Sequence, residues 1–256
     1  MKFQTKKTPD YFGEINSVSL LTRYTSLDNI IEIIKHNKLH FSPLSNFSDL
    51  SEGKTLNQII NIENTKSISS EIRSQVFYAS CWYNGSESIL MWDIYGRKNS
   101  IDYLAIQIDF NSIKKILDEG SYRFISNKIT IQKKEPLNEI KSDAFKLDTF
   151  KCGLIKYDDF DNLVKSNSNF VGRFKSLDFR HENEFRFLVY QNYKSSIIGL
   201  DDLKCCFNEE SFRNLKFTII VNPYASEDIF NFVEKGFSEF KNVEVIHSKF
   251  KNLLSK

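Results

Sequence analysis

Glu182 and Glu184 stand two residues apart in the run Glu182-Asn183-Glu184. On a strand, residues at that spacing project to one face, where two carboxylates can act on a single ligand. Such a pair suits a cationic transition state. One carboxylate stabilises the oxocarbenium ion that develops at a sugar C1′ as its bond to a leaving group breaks, and the other orients or deprotonates the incoming nucleophile. Taken alone, the same pattern also describes a solvated strand edge. Arg23 follows an apolar strand and precedes a helix start. Its guanidinium would sit at the end of a sheet near a helix N-terminus, placed to clamp a diphosphate bidentately or to form a surface salt bridge. Trp82, Trp92 and Tyr95 gather around one turn and one short helix, a stripe that serves either as core or as a platform for a flat ring.

Other chemistries find little support. His36 and His40 are four apart but fall across a helix end with no third ligand, so no metal site is expected. His181-Glu182-Asn183-Glu184 is not the H-E-x-x-H of zinc hydrolases. There is no G-x-S-x-G, no phosphate loop of the G-x-x-x-x-G-K type and no G-x-G-x-x-G. Cys81 reads as a buried structural thiol on a strand rather than as a nucleophile.

These residues need elements to hold them. Val18 to Tyr24 reads as a strand, followed by a helix begun at Thr25-x-x-Asp28, with Leu27, Ile30, Ile31 and Ile34 on one face and an end near Asn37. Leu39 to Ser42 is a short strand, and a loop from Pro43 to Gly53 leads into a polar helical stretch reaching about Ser74. Val76 to Trp82 is a strand closed by the Asn84-Gly85 turn, after which Ser86 or Ser88 caps a short helix that Gly96 stops. Asp102 to Phe110 is a buried strand, with Asn111 as cap of a helix ending at Gly120 and two β segments around Tyr122 to Ile131. A helix near Leu137 to Leu147, strands at Cys152 to Tyr157 and Glu184 to Tyr190, and a closing β-α-β unit (Phe217 to Val221, Ser226 to Phe240, Val243 to His247) complete the reading. Strands outnumber helices without βαβ alternation, which predicts an α+β fold with mixed or antiparallel sheets and helices outside.

The 256 residues are 41% hydrophobic, with 23 Phe and 11 Tyr against 9 Gly and 4 Pro, a composition for one packed body rather than for linkers or repeats. A single domain over 1–256 is expected, with residues 1–16 as a polar extension. Four cysteines without C-x-x-C spacing suggest a reducing, cytoplasmic setting. No apolar run is long enough to span a bilayer, so no membrane partner is expected. The 35 basic and 33 acidic residues leave any nucleic-acid contact to a local patch.

The ordered combination is more specific than its parts. Arg23-Tyr24, Leu39-x-Phe41-Ser42-Pro43 with Asn46-Phe47-Ser48-Asp49-x-x-Glu52, Cys81-Trp82, Leu90-Met91-Trp92-x-x-Tyr95, and Lys175 ahead of Glu182-x-Glu184-x-Arg186 resemble the pattern of an uncharacterised bacterial family. Here Ser48, Leu50, Ser51, Tyr83 and Ile94 depart from that pattern. The family is similar in layout to ADP-ribosyltransferases of the toxin or antiphage type. The resemblance implies a split, mixed or antiparallel β-sheet core flanked by helices, with NAD as co-substrate and no metal. It implies Glu184 and Glu182 as catalytic residues, Glu184 gripping the nicotinamide ribose and Glu182 assisting the acceptor. Arg23, Tyr24, Ser42, Ser80, Trp82, Trp92, Tyr95 and Arg186 would bind the dinucleotide. The implied activity is mono-ADP-ribosyl transfer to RNA, DNA or a protein by a toxin or antiviral effector, with an antitoxin protein as a further partner. Lys128, Lys133, Lys134, Arg173, Lys175 and Arg180 would form the basic surface for a nucleic-acid acceptor. The alternatives are an NAD glycohydrolase using water in the same pocket, and a non-catalytic module that senses a nucleotide or a phage component.

Overall fold

The computed structural model describes residues 2–3, 8–47, 77–96, 103–126, 129–131, 147–159, 172–191, 198–200 and 203–251. The expected helices before Ser74 and near Leu137, and the pattern residues Ser48, Asp49 and Glu52, lie outside these.

The first strands are β1 (Lys2–Phe3), β2 (Asp10–Phe12), β3 (Leu20–Ser26), β4 (Lys38–Pro43) and β5 (Phe77–Asn84). After them come β6 (Tyr103–Asp109), β7 (Tyr122–Ser126), β8 (Ile129–Ile131), β9 (Leu147–Leu154), β10 (Lys156–Asp158) and β11 (Phe174–Ser176). The chain closes with β12 (Glu184–Gln191), β13 (Ile198–Leu200), β14 (Leu203–Phe207), β15 (Phe217–Val221) and β16 (Val243–His247). The helices are α1 (Leu27–His36), α2 (Ile89–Met91), α3 (Phe110–Asp118), α4 (Glu209–Arg213) and α5 (Glu227–Phe237).

Twelve strands form one sheet, with β5 at its junction. One edge of β5 pairs with β12 along its length, and β9 and β2 continue that arm. The other edge is shared by two strands. β3 meets it at Leu21↔Asn84 and Thr22↔Tyr83, and β4 meets it at Ser42↔Ala79 and Pro43↔Tyr78. β3 and β4 part over Ser80, Cys81 and Trp82. Behind β3 run β6, β15 and β16, and behind β4 run β14, β7 and β1. Most pairings are antiparallel, while β15 with β16 and β2 with β9 are parallel. The architecture is therefore the α+β mixed, split sheet flanked by helices that the sequence predicts.

Local chemistry explains the elements. In α1 the Ser26 hydroxyl accepts from the Asn29 amide (3.4 Å), Ile30, Ile33 and Ile34 are buried, and Asn37 ends the helix in the left-handed region at φ 54°. The cap of α3 is Asp109, accepting from Ser112 N (2.8 Å), rather than the expected Asn111, because the strand ends at Asp109 and Phe110 already opens the helix. Along β12, Phe185, Phe187 and Val189 enter the main core with Phe41, Phe124 and Phe150, which leaves Glu184 and Arg186 on the opposite face.

The described strands among residues 1–16 pair with the sheet. β1 pairs with β7 and β2 with β9, and Tyr11 donates to Asp118 (2.7 Å). Gly153 admits β2 because a Cβ there would stand 2.0 Å from the Phe12 carbonyl oxygen.

Candidate functional site

The cleft opens where the sheet splits. It encloses about 520 Å³, within the range of small-molecule sites. Its lining brings together Arg23 and Tyr24 from β3, Ser42 from β4, Cys81, Trp82 and Tyr83 from β5, Lys175 from β11, and Glu184 and Arg186 from β12. Tyr95 and Glu182 complete it from short helical segments.

Arg23 spans the split. Its Nη1 donates to Ser80 Oγ on β5 (2.5 Å) and to the His40 carbonyl on β4 (3.4 Å), and its guanidinium lies 5.9 Å from the Trp82 ring. Burial pulls its pKa below the ordinary arginine value, and a guanidinium stays cationic in proteins regardless. Ser80 is fully buried and also accepts from Trp82 Nε1 (3.2 Å), so it acts on Arg23 and Trp82 rather than on a ligand.

The two glutamates differ from the expected strand pair. Only Glu184 is on β12. Glu182 ends the 3₁₀ turn Leu177–Glu182, and Asn183 between them adopts the left-handed conformation at φ 37°, its side chain donating to the Asn84 carbonyl (2.5 Å). The carboxylates still converge, because Lys175 Nζ lies 2.7 Å from Glu182 and 3.7 Å from Glu184. Arg186 grips Glu184 with a fork, Nε to Oε1 at 2.6 Å and Nη2 to Oε2 at 2.8 Å. The Glu184 amide donates to Tyr157 Oη (2.8 Å), which fixes the start of β12.

These surroundings set the two carboxyls apart. Burial acts to raise Glu184, but Arg186, Lys175 and a hydrogen bond from Cys81 outweigh it and hold the group below the usual carboxylate range. For Glu182 burial prevails over Lys175, and its pKa is raised. One site thus holds a carboxylate locked in its ionised form beside one set to exchange a proton nearer neutrality. Arg186 is fully buried, with Nη1 also donating to the Gly172 carbonyl (3.2 Å) and the guanidinium 5.5 Å from the Phe47 ring. Its bonds to Glu184 and to the Gly172 carbonyl make Arg186, expected among the dinucleotide-binding residues, a group that orients Glu184.

The aromatic wall is Tyr24, Trp82, Tyr83 and Tyr95, with Tyr24 and Tyr95 stacked at 6.5 Å and 19°. Trp92, expected in that wall, does not line the cleft. It is wholly buried, packs edge-on against Tyr24 (4.8 Å, 88°) and donates to Glu87 (3.0 Å), so it supports Tyr24 from behind. The turn after β5 is fastened by Thr22, donating to Gly85 O (2.6 Å), and Gln107, donating to Thr22 Oγ1 (3.0 Å) and Ser86 O (2.7 Å). That turn carries Ser88, whose amide donates to the Tyr24 hydroxyl (2.8 Å).

Lys175 was expected on a basic surface and lies instead in the cleft. Arg180 is exposed, Arg173 stacks on Phe12 (5.1 Å), and Lys128, Lys133 and Lys134 lie outside the described residues, so the expected patch does not form among the described ones. Among the described residues no group of three potential metal ligands occurs, and no helix is long and apolar enough to cross a membrane.

No family model matches the chain, and no curated protein matches it. Two solved structures are similar to it. Thermus sp. 2.9 DarT in complex with NAD+ is 14% identical, with 90% of this chain and 95% of that chain covered at a TM-score of 0.37. Thermus sp. 2.9 DarT in complex with ADP-ribosylated ssDNA is 14% identical, with 94% and 98% covered at a TM-score of 0.37. The likeness is distant, and the architecture is read here from strand order and register.

Proposed function

We propose that the cleft binds NAD, breaks its nicotinamide–ribose bond and transfers the ADP-ribosyl group to a nucleophile. The observation that carries this reading is the meeting of Arg23 from one side of β5 with Glu184 from the other in a single cleft walled by aromatic rings. Arg23 supplies the cation that a diphosphate needs, and Tyr24, Trp82 and Tyr95 offer faces to the nicotinamide ring.

Heterolysis of the C1′–N bond sends its electron pair to the ring nitrogen, so nicotinamide leaves neutral and C1′ becomes an oxocarbenium ion. A carboxylate has about four lone-pair sites. The Arg186 fork uses two and the Cys81 thiol a third, and the remaining one can accept a ribose hydroxyl, so Glu184 holds the sugar while its charge favours the developing cation. The acceptor then attacks C1′ and gives its proton to Glu182, whose raised pKa suits a general base. In this reading the acceptor is a nucleic acid or a protein side chain, and the chain acts as a toxin or antiviral effector.

The experiment is incubation of the purified chain with NAD labelled in its adenosine half, with and without cell extract, comparing wild type with Glu184→Gln. Nicotinamide release should fall at least a hundredfold in the variant. Wild-type turnover by Glu184→Gln would remove the assignment. Label appearing only as free ADP-ribose, with extract present, would identify water as the acceptor and the protein as a glycohydrolase.

A further inference from the structure

A second cavity of about 240 Å³ is lined by Arg23, Asn29, Glu32, Ile33, Lys38, His40 and Lys204. Arg23 lines both cavities, so they are neighbours across one guanidinium. Alternation along β4 puts Lys38, His40 and Ser42 on one face, away from the buried Leu39 and Phe41. Ser42 lines the first cavity, and His40 and Lys38 line the second. The two therefore form a row along β4.

Among the described residues, the lining of the second cavity carries more cations than carboxylates. Arg23, Lys38 and Lys204 stand there with Glu32, which Lys204 contacts at 3.1 Å. The cationic row extends beyond it, because Lys38 pairs in register with Cys206 on β14, and Cys206 pairs with Arg123 on β7, which is exposed. Directly paired residues share a face, so Lys38, Cys206 and Arg123 do so here.

We propose that the second cavity is a phosphate subsite, distinct from the dinucleotide's own diphosphate, that holds a phosphate ester of the acceptor while ADP-ribose is transferred in the cleft. Giving that phosphate to the acceptor rests on the function proposed above. The presence of a phosphate site rests on the cavity alone. Arg23 then faces the dinucleotide on one side and the acceptor on the other, which brings the two substrates together over the split in the sheet.

The test is calorimetric titration of the intact wild-type chain and of Lys38→Gln/Lys204→Gln with four probes: inorganic phosphate, NAD, a nucleoside monophosphate and a short single-stranded oligonucleotide. Glu32 is a third exposed, so it can take water when Lys204 is replaced, and circular dichroism checks the fold. The expected result is at least a tenfold loss of phosphate affinity in the double variant, with NAD affinity changed less than threefold. Displacement of phosphate by the oligonucleotide, with a log–log salt slope shallower by about 0.7 in the double variant, would identify the source as a polynucleotide backbone. Displacement only by a nucleoside monophosphate would identify a free nucleotide, and either source sustains the subsite. Equal phosphate binding by wild type and variant, no phosphate or oligonucleotide binding by wild type, or a parallel loss of NAD affinity would overturn it. Wild type that binds phosphate but not NAD would instead defeat the proposed function and leave the subsite standing.

Discussion

Replacing Arg186 by Met should destabilise the protein strongly and reverse the pH dependence of the site. The Glu184 and Arg186 side chains are 5% and 0% exposed and share two short hydrogen bonds. Removing one partner of a buried ion pair costs about 3–5 kcal/mol, because the other charge is left without compensation. Lys175 remains 3.7 Å from Glu184 but is also engaged by Glu182, which places the expected loss near ~3 kcal/mol, the lower end of that range. With a slope of about 3 kcal/mol per molar urea, the midpoint should fall by roughly 1 M. In the wild type, Glu184 has a depressed folded pKa, so its contribution is present above the unfolded carboxylate value and is lost as pH falls through the folded one. Without Arg186, burial dominates and the folded pKa should rise above the unfolded value. The folded variant then binds more protons than the unfolded chain between those two values, and its stability falls as pH rises through that window. The stability gap from wild type should accordingly widen from acid to neutral pH in equilibrium urea unfolding. Arg186→Lys, which keeps the charge and loses the fork, should recover part of the loss. A deficit for Arg186→Met below about 1 kcal/mol, the worth of an ordinary hydrogen bond, or one that does not vary with pH, would refute the assignment of Arg186 as the group that keeps Glu184 ionised.

Three further outcomes follow from the geometry. Glu182→Gln should abolish the rise of ADP-ribosyl transfer to the acceptor with pH, since in the wild type that limb tracks ionisation of a carboxyl raised above the usual ~4.3; an unchanged pH–rate profile for transfer would exclude Glu182 as the base. Ser80→Ala removes a hydrogen bond to a charged group worth about 1.5 kcal/mol, so the NAD dissociation constant should increase roughly tenfold, and an unaltered constant would show that Ser80 does not position Arg23. Gly153→Ala forces a methyl group against the Phe12 carbonyl and should cost about 1–3 kcal/mol, with faster amide exchange at residues 10–12; wild-type stability would mean that β2 is not seated as described.

Periodicity made the elements legible, and long-range pairing decided the site. The apolar alternation of Phe185, Phe187 and Val189 marks β12, and the Ile30/Ile34 spacing marks α1. Neither pattern reveals that β3 and β4 share one edge of β5, and that sharing opens the cleft. Glu182 was placed on the strand because E-x-E fits period two, although Asn183 carried the contrary signal, since Asn is enriched among residues with positive φ. The aromatic cluster could not tell Trp92 from Tyr95, because α-helical spacing gives no side when the helix widens into a π turn over Trp92–Gly96. β2 escapes the pattern because it is only three residues long and its partners, Lys151 to Gly153, lie 141 positions further on, where the missing side chain of Gly153 admits Phe12.

Charge bookkeeping within the cleft narrows what a ligand can sense. Arg186 and Glu184 neutralise one another in a buried pair, so that pair offers hydrogen-bonding geometry and only a weak net field at a distance. Lys175 and Glu182 form a second neutral pair, but one whose carboxyl has a raised pKa. When Glu182 takes a proton the cleft gains a positive charge from Lys175, and when it loses one the cleft returns to the cation on Arg23 as its main excess. An anionic ligand is therefore held more tightly while Glu182 is protonated, and a base able to accept a proton exists only after that grip has relaxed. Under the proposed function, tight binding and proton removal thus call for opposite states of Glu182, and the acceptor's own proton, delivered to Glu182 during attack, would convert the second state into the first.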